Sequence, residues 1–186
     1  MIGIDEVGRG AWAGPLVVAG CYFTENPGFI RELNDSKKLK PQIRNDIEGS
    51  IKSSTIFKIV SVPACRVDAL GLTEAIKGAI LEILTMMPTD VMIQLDGKYN
   101  FLKGTVYENR VKVEVGADGR YSSVMAASVL AKVERDRYMR QQSSNYPEYG
   151  FDTNVGYGTA GHILALKKYG VCDLHRRSFK PIKVFI

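Results

Sequence analysis

Short β-type runs alternate with long amphipathic stretches along this chain, and that alternation confines it to a layered α/β architecture. Residues 1–6 and 16–23 read as strands. Leu16-Val17-Val18-Ala19 is a buried-type run, bounded by Gly14-Pro15 before it and Asn26-Pro27-Gly28 after it. Residues 41–53 read as a helix with Pro41 in the first turn, and a β-rich run from Thr55 to Val62 stops at Pro63. The strongest stripe is Leu72, Ala75, Ile76, Ala79, Ile80, Ile83, Leu84 and Met87, the i, i+3, i+4, i+7 spacing of a helix with one buried face. Val91 to Leu95 is an apolar strand ended by Asp96-Gly97, and residues 111–115 alternate as a half-buried strand. A second long helix is predicted over 122–142, apolar and small at first, then heavily charged. A third runs from Thr159 to Tyr169 with Gly170 as its stop. Met1 stands only four residues before Asp5, so the first strand is short and its pairing is expected to be marginal.

A chain of 186 residues can bury a substantial core as one domain. The net charge of +5 permits a polyanionic partner without requiring one. Cys21, Cys65 and Cys172 are scattered and odd in number, which argues against a disulfide framework and for a reduced compartment. There is no apolar run of membrane-spanning length and no signal-like start, so the cytoplasm is the expected address and no membrane partner is expected.

Acids stand where an α/β sheet presents ligand groups, at strand ends. Asp5 and Glu6 end the first strand, Asp96 ends the Val91–Leu95 run, and Asp118 sits in the turn Gly116-Ala117-Asp118-Gly119. Clustered carboxylates repel one another and need a cation; hard divalent ions prefer such oxygen ligands. In an ideal strand Asp5 and Glu6 point to opposite faces, so a shared ion requires the strand to end or bulge there, for which Gly8 and Gly10 make room. Taken singly, each acid also has a plainer use: Asp96-Gly97 as a turn, Asp118 as a helix cap.

The segment Gly3-Ile4-Asp5-Glu6-Val7-Gly8-Arg9-Gly10, continued by Ala13-Gly14-Pro15, resembles the signature of the ribonuclease HII family. Further segments of this chain resemble that family in the same order: Asp35-Ser36-Lys37-Lys38-Leu39, Leu95-Asp96-Gly97, Ala117-Asp118 with Ser122 to Arg137, Gly156-Tyr157-Gly158-Thr159 with His162, and His175 to Phe179. The resemblance implies a ribonuclease H-like mixed five-stranded sheet flanked by helices, in a single domain over 1–186 whose residues from about 145 form a small C-terminal helical, substrate-binding part. It implies an endonuclease that cleaves the RNA strand of RNA–DNA hybrids. It also implies incision on the 5′ side of single ribonucleotides in duplex DNA, leaving 5′-phosphate and 3′-hydroxyl ends. Asp5, Glu6, Asp96 and Asp118 would be catalytic and would hold two divalent ions, Mg²⁺ or Mn²⁺, with a metal-activated water attacking.

The same resemblance assigns substrate contacts to Gly8, Arg9, Gly10, Ser36, Lys37, Tyr157, His162 and Arg176. Glycine lets a main chain come close, and the 2′-hydroxyl is what tells RNA from DNA. Tyr157 would stack near the RNA–DNA junction, and Ser36 and Lys37 would grip phosphates. The chain is expected to act as a monomer in DNA replication and ribonucleotide repair. Its tail, Phe179 to Ile186, reads first as packed on its own domain and second as a ligand of a replication clamp. The competing readings are a non-catalytic nucleic-acid binder and another nuclease of the same fold. A dinucleotide site is disfavoured because Gly8, Gly10 and Gly14 miss the usual spacing and Pro15 interrupts any following helix.

Overall fold

The computed structural model describes residues 1–25 and 41–186, with the side chains of the helix opening at Pro41 described from residue 46 onward. The described residues form a five-stranded sheet in the order β3-β2-β1-β4-β5. Its strands are β1 (Ile2–Val7), β2 (Leu16–Phe23), β3 (Thr55–Val62), β4 (Ile93–Asp96) and β5 (Val111–Glu114). β1, β2 and β3 make an antiparallel meander, whereas β4 runs parallel to β1 and β5 parallel to β4. The mixed sheet expected from the sequence is therefore present.

The expectation of a marginal first strand is overturned. β1 is registered against β2 over its whole length, from Ile2↔Tyr22 to Val7↔Val17, and also pairs with β4 from Ile2↔Ile93 to Leu95 opposite Ile4. A central strand has partners on both edges and cover on both faces, so its shortness costs little.

The helices of the described residues are α1 (Pro41–Ser54), α2 (Ala64–Leu70), α3 (Leu72–Leu84), α4 (Ser122–Ser143), α5 (Phe151–Asn154) and α6 (Ala160–Tyr169). α3 buries Ala75, Ile76, Ala79, Ile80, Ile83 and Leu84 against Ile2, Ile4, Leu16 and Val18. It ends at Leu84 rather than Met87, yet Met87 still packs in the core. α2 was not foreseen. It has seven residues and buries only Ala64 and Val67, too few for a periodic signal. The other face of the sheet carries Val17, Ala19 and Cys21, covered by Ile47 and Ile51 of α1 and by the apolar first half of α4.

α4 lies hard against β1 because Gly3 has no side chain: a Cβ there would stand 2.2 Å from the main-chain carbon of Ser123. Residues after α4 fold back over the loop that follows β1. Tyr149, Phe151, Leu166 and Ile182 pack with Ala13 and Met139 in a third apolar cluster. No helix among the described residues is long and apolar enough to cross a membrane.

Candidate metal centre and substrate loop

Three carboxylates converge from separate elements. Asp5 comes from the centre of the sheet, Asp96 from the end of the neighbouring parallel strand, and Asp118 from the single 3₁₀ turn Ala117–Gly119. Carboxylate oxygens of the three lie within 4.8 Å of one another. Parallel pairing brings the carboxyl ends of β1 and β4 side by side, and the Ala117 N–H then donates to Asp96 Oδ1 at 2.9 Å, drawing the Asp118 turn onto the same spot. The Glu6 N–H donates to Asp5 Oδ1 at 2.8 Å.

Glu6 is not one of the trio, and β1 keeps a regular register through it, with Asp5↔Ala19 and Glu6↔Val18. Successive side chains of β1 therefore point to opposite faces. The Glu6 carboxylate pairs instead with Arg9, 3.4 Å away, while remaining close enough to Asp96 for the two charges to oppose each other.

Asp5 is only 8% exposed. Burial pushes its carboxyl up to about 7, Glu6 and Asp96 push in the same direction, and a hydrogen bond with Ser128 of α4 opposes them. Burial also raises Glu6, against the lowering influence of Arg9. A buried acid held this close to two others is an unfavourable arrangement until a cation arrives. Several oxygens at this spacing suit a hard divalent ion, so the residues fit such a group.

The loop after β1 carries Gly8-Arg9-Gly10, of which Arg9 and Gly10 are exposed. Gly8 has φ +84°, and a Cβ there would stand 2.2 Å from Arg135 Nε, so the position excludes a side chain twice over. Beneath the loop lie two fully buried arginines. Arg135 donates to the carbonyls of Pro15 (2.9 Å), Val155 (2.8 Å) and Ala13 (3.0 Å). Arg176 donates to those of Gly14 and Arg9, each at 3.1 Å. Arg176, one of the residues assigned to substrate, has no exposed surface and meets the loop through its main-chain carbonyls. Arg135 was missed because it falls in the charged half of α4. Its helical phase, however, continues the buried stripe of Val124 and Ala131.

His162, also assigned to substrate, is likewise wholly buried. Its Nδ1 lies 2.9 Å from the Tyr157 carbonyl and its Nε2 lies 3.0 Å from His175 Nε2. A ring nitrogen facing a carbonyl must donate, so His162 Nε2 accepts from His175, whose Nδ1 then accepts the Cys172 N–H at 2.9 Å. Tyr157 itself is half-buried, with the Arg135 guanidinium 5.3 Å from its ring centre. Ser36 and Lys37, with Lys38, lie outside the described residues.

A mixed sheet with acids gathered at adjoining strand ends is the frame of a ribonuclease H-type nuclease. The ribonuclease H2 of Pyrococcus horikoshii shares it with a TM-score of 0.84 at 26% identity, over 99% of this chain and 95% of that one. The ribonuclease HII solved in complex with PCNA from Archaeoglobus fulgidus matches with a TM-score of 0.82 at 27% identity, over 96% and 94%. In sequence, the family profile for ribonuclease HII matches residues 2–182. The ribonuclease HII of Aliarcobacter butzleri is 41% identical over 97% of this chain and 90% of its own length. The chain belongs to the ribonuclease HII family and is a hydrolase, a nuclease of ribonuclease H type.

Proposed function

We propose that this chain cleaves the RNA strand of RNA–DNA hybrids and incises 5′ of single ribonucleotides in duplex DNA, with two divalent ions, leaving 5′-phosphate and 3′-hydroxyl ends. The observation that carries the reading is the convergence of Asp5, Asp96 and Asp118 within 4.8 Å, beside an exposed glycine-flanked Arg9. Asp5, Glu6, Asp96 and Asp118 would hold the ions, the three aspartates closest together and Glu6 beside Asp96. Mg²⁺ or Mn²⁺ so held would neutralise charge at the phosphodiester and make water a nucleophile at neutral pH.

The remaining tasks fall to the protein. The main chain at Gly8 and Gly10 approaches the ribose, where only a 2′-hydroxyl offers both a donor and an acceptor. Arg9 meets the backbone, and Tyr157 stacks beside the junction. Arg135, Arg176 and His162 hold these loops in place. Ser36 and Lys37 are assigned to phosphates on the sequence resemblance alone. The C-terminal part from about residue 145 serves as the substrate-binding flank, and the setting is a monomer in the cytoplasm acting in replication and repair.

The test is cleavage of duplex DNA carrying one ribonucleotide, with Mg²⁺, Mn²⁺ or chelator, against the same duplex with deoxyribose at that position. Incision is expected only with both ion and ribose; cutting of the all-DNA duplex would indicate a different nuclease of this fold. A non-catalytic binder would instead retain affinity without cutting in any ion. Clamp docking through the tail is a weaker second reading. It draws on the Archaeoglobus complex and on the exposure of Val184 and Ile186, beside the buried Ile182. Deleting residues 183–186 should abolish clamp binding while preserving cleavage.

A further inference from the structure

Beside the Asp96 end of β4 an open cleft of about 670 Å³ runs towards α3, and the reading above uses only Arg9 at its edge. Arg9, Lys77, Lys98 and Lys103 line it together with Tyr99 and Phe101, and Glu74 is the one carboxylate among the described residues of its wall. None of the three lysines forms an ion pair among the described residues. Among its described residues, four cations, one of them paired with Glu6, against one lining carboxylate make a surface complementary to a polyanion.

Aromatic geometry narrows the ligand further. Tyr99 is 60% exposed, while Phe101 beside it is 8% exposed and anchored in the core. The Arg9 guanidinium stands 5.6 Å from the Tyr99 ring centre and 5.8 Å from that of Phe101. An exposed ring held by a cation–π contact among unpaired lysines is the combination that binds nucleic-acid strands: cations for phosphates, a flat face for a base. The cleft is also continuous with the candidate centre. Arg9 pairs with Glu6 on one side and lines the cleft on the other, and Lys98 and Tyr99 follow Asp96 almost directly in the chain.

We propose that this cleft binds an unpaired extension of the substrate strand flanking the cleaved position, with Lys77, Lys98 and Lys103 on its phosphates and Tyr99 stacked on a base. The proposal rests on the nuclease reading above, and the experiment separates the two. The wild type, the double variant Lys98→Ala/Lys103→Ala, Tyr99→Ala and Tyr99→Phe are compared on a duplex with one ribonucleotide. A 2-aminopurine is stepped through a short unpaired extension flanking the ribonucleotide, where it fluoresces until a ring stacks on it. Loss of two phosphate contacts should lower the slope of log affinity against log salt by about 1.8 and weaken binding about tenfold or more near 0.1 M salt. KM should rise with kcat nearly unchanged. Quenching of 2-aminopurine at one flanking position should vanish in Tyr99→Ala and persist in Tyr99→Phe.

An unaltered salt slope and KM in the double variant, with the wild type cutting normally, overturns the phosphate role. Quenching that Tyr99→Ala leaves intact at every position overturns the stacking role, and both results together would point to an acidic protein partner instead. If the wild type neither binds nor cuts, the nuclease reading itself fails. Lys98, Tyr99 and Lys103 are exposed, and equal melting temperatures across the set confirm that binding alone has changed.

Discussion

At the scale of single residues, Asp5 carries the largest conflict between folding and function. Its carboxyl, pushed up to about 7, binds a proton in the folded state that it would release in the unfolded chain above pH 3.8. Its contribution is therefore favourable below pH 3.8 and is lost as pH rises through about 7. Asp5→Asn should abolish cleavage yet raise the melting temperature of the ion-free protein by roughly 3 °C or more at pH 8, the gain vanishing near pH 4. Thermal melts in chelator across that range check it; a variant melting below the wild type at pH 8 refutes it. Arg135 makes the opposite case. Its removal leaves the carbonyls of Ala13, Pro15 and Val155 unsatisfied in the interior, so Arg135→Met should cost about 3–5 kcal/mol in denaturant titration.

At the scale of elements, α4 and the segment after it determine where the loops stand. Gly3→Ala would drive a methyl group into the backbone of Ser123 and lift α4 from β1. The expected loss is about 1–3 kcal/mol, read from the denaturant midpoint. The histidine pair links Cys172 to the Tyr157 carbonyl. Burial lowers both rings, His175 to about 4, with His162 lowering it further. Because the unfolded chain takes up this proton near 6.5 and the folded one only near 4, the contribution is complete above pH 6.5. It is lost as pH falls towards 4. His175→Gln should weaken that acid-side loss and raise KM more than it lowers kcat, as expected for a residue that positions Tyr157. Paired pH–stability and steady-state measurements test it.

At the scale of the whole molecule these two influences oppose each other over nearly the same pH range. The ion-free wild type should show a shallow stability profile between pH 4 and 7, and Asp5→Asn should uncover the histidine-driven loss on the acid side. A divalent ion binding only the folded state adds RT ln(1 + [ion]/Kd), about 2.7 kcal/mol at a hundredfold excess over Kd. The wild type should therefore melt higher with Mn²⁺ than with chelator, and Asp96→Asn should lose most of that increment.

Much of this was legible in the residues. Strand-end acids announce themselves because an apolar run that stops in Asp must deliver a charge to the edge of the core, and this singled out Asp5, Glu6 and Asp96, whereas Asp118 stood out only as an acid in a glycine-rich turn. The long stripe of α3 was equally plain. α2 was not, since seven residues with two buried ones carry no period. Local chemistry along the chain thus determined which groups were available: acids at strand ends, a glycine-flanked arginine, helices with one apolar face. Only the tertiary structure decided which of them meet. Register and turn placement gathered Asp5, Asp96 and Asp118 while Glu6 paired with Arg9, and packing of the C-terminal segment buried Arg176 and His162. Such outcomes depend on contacts between residues far apart in the chain, where burial and pairing outweigh any local preference.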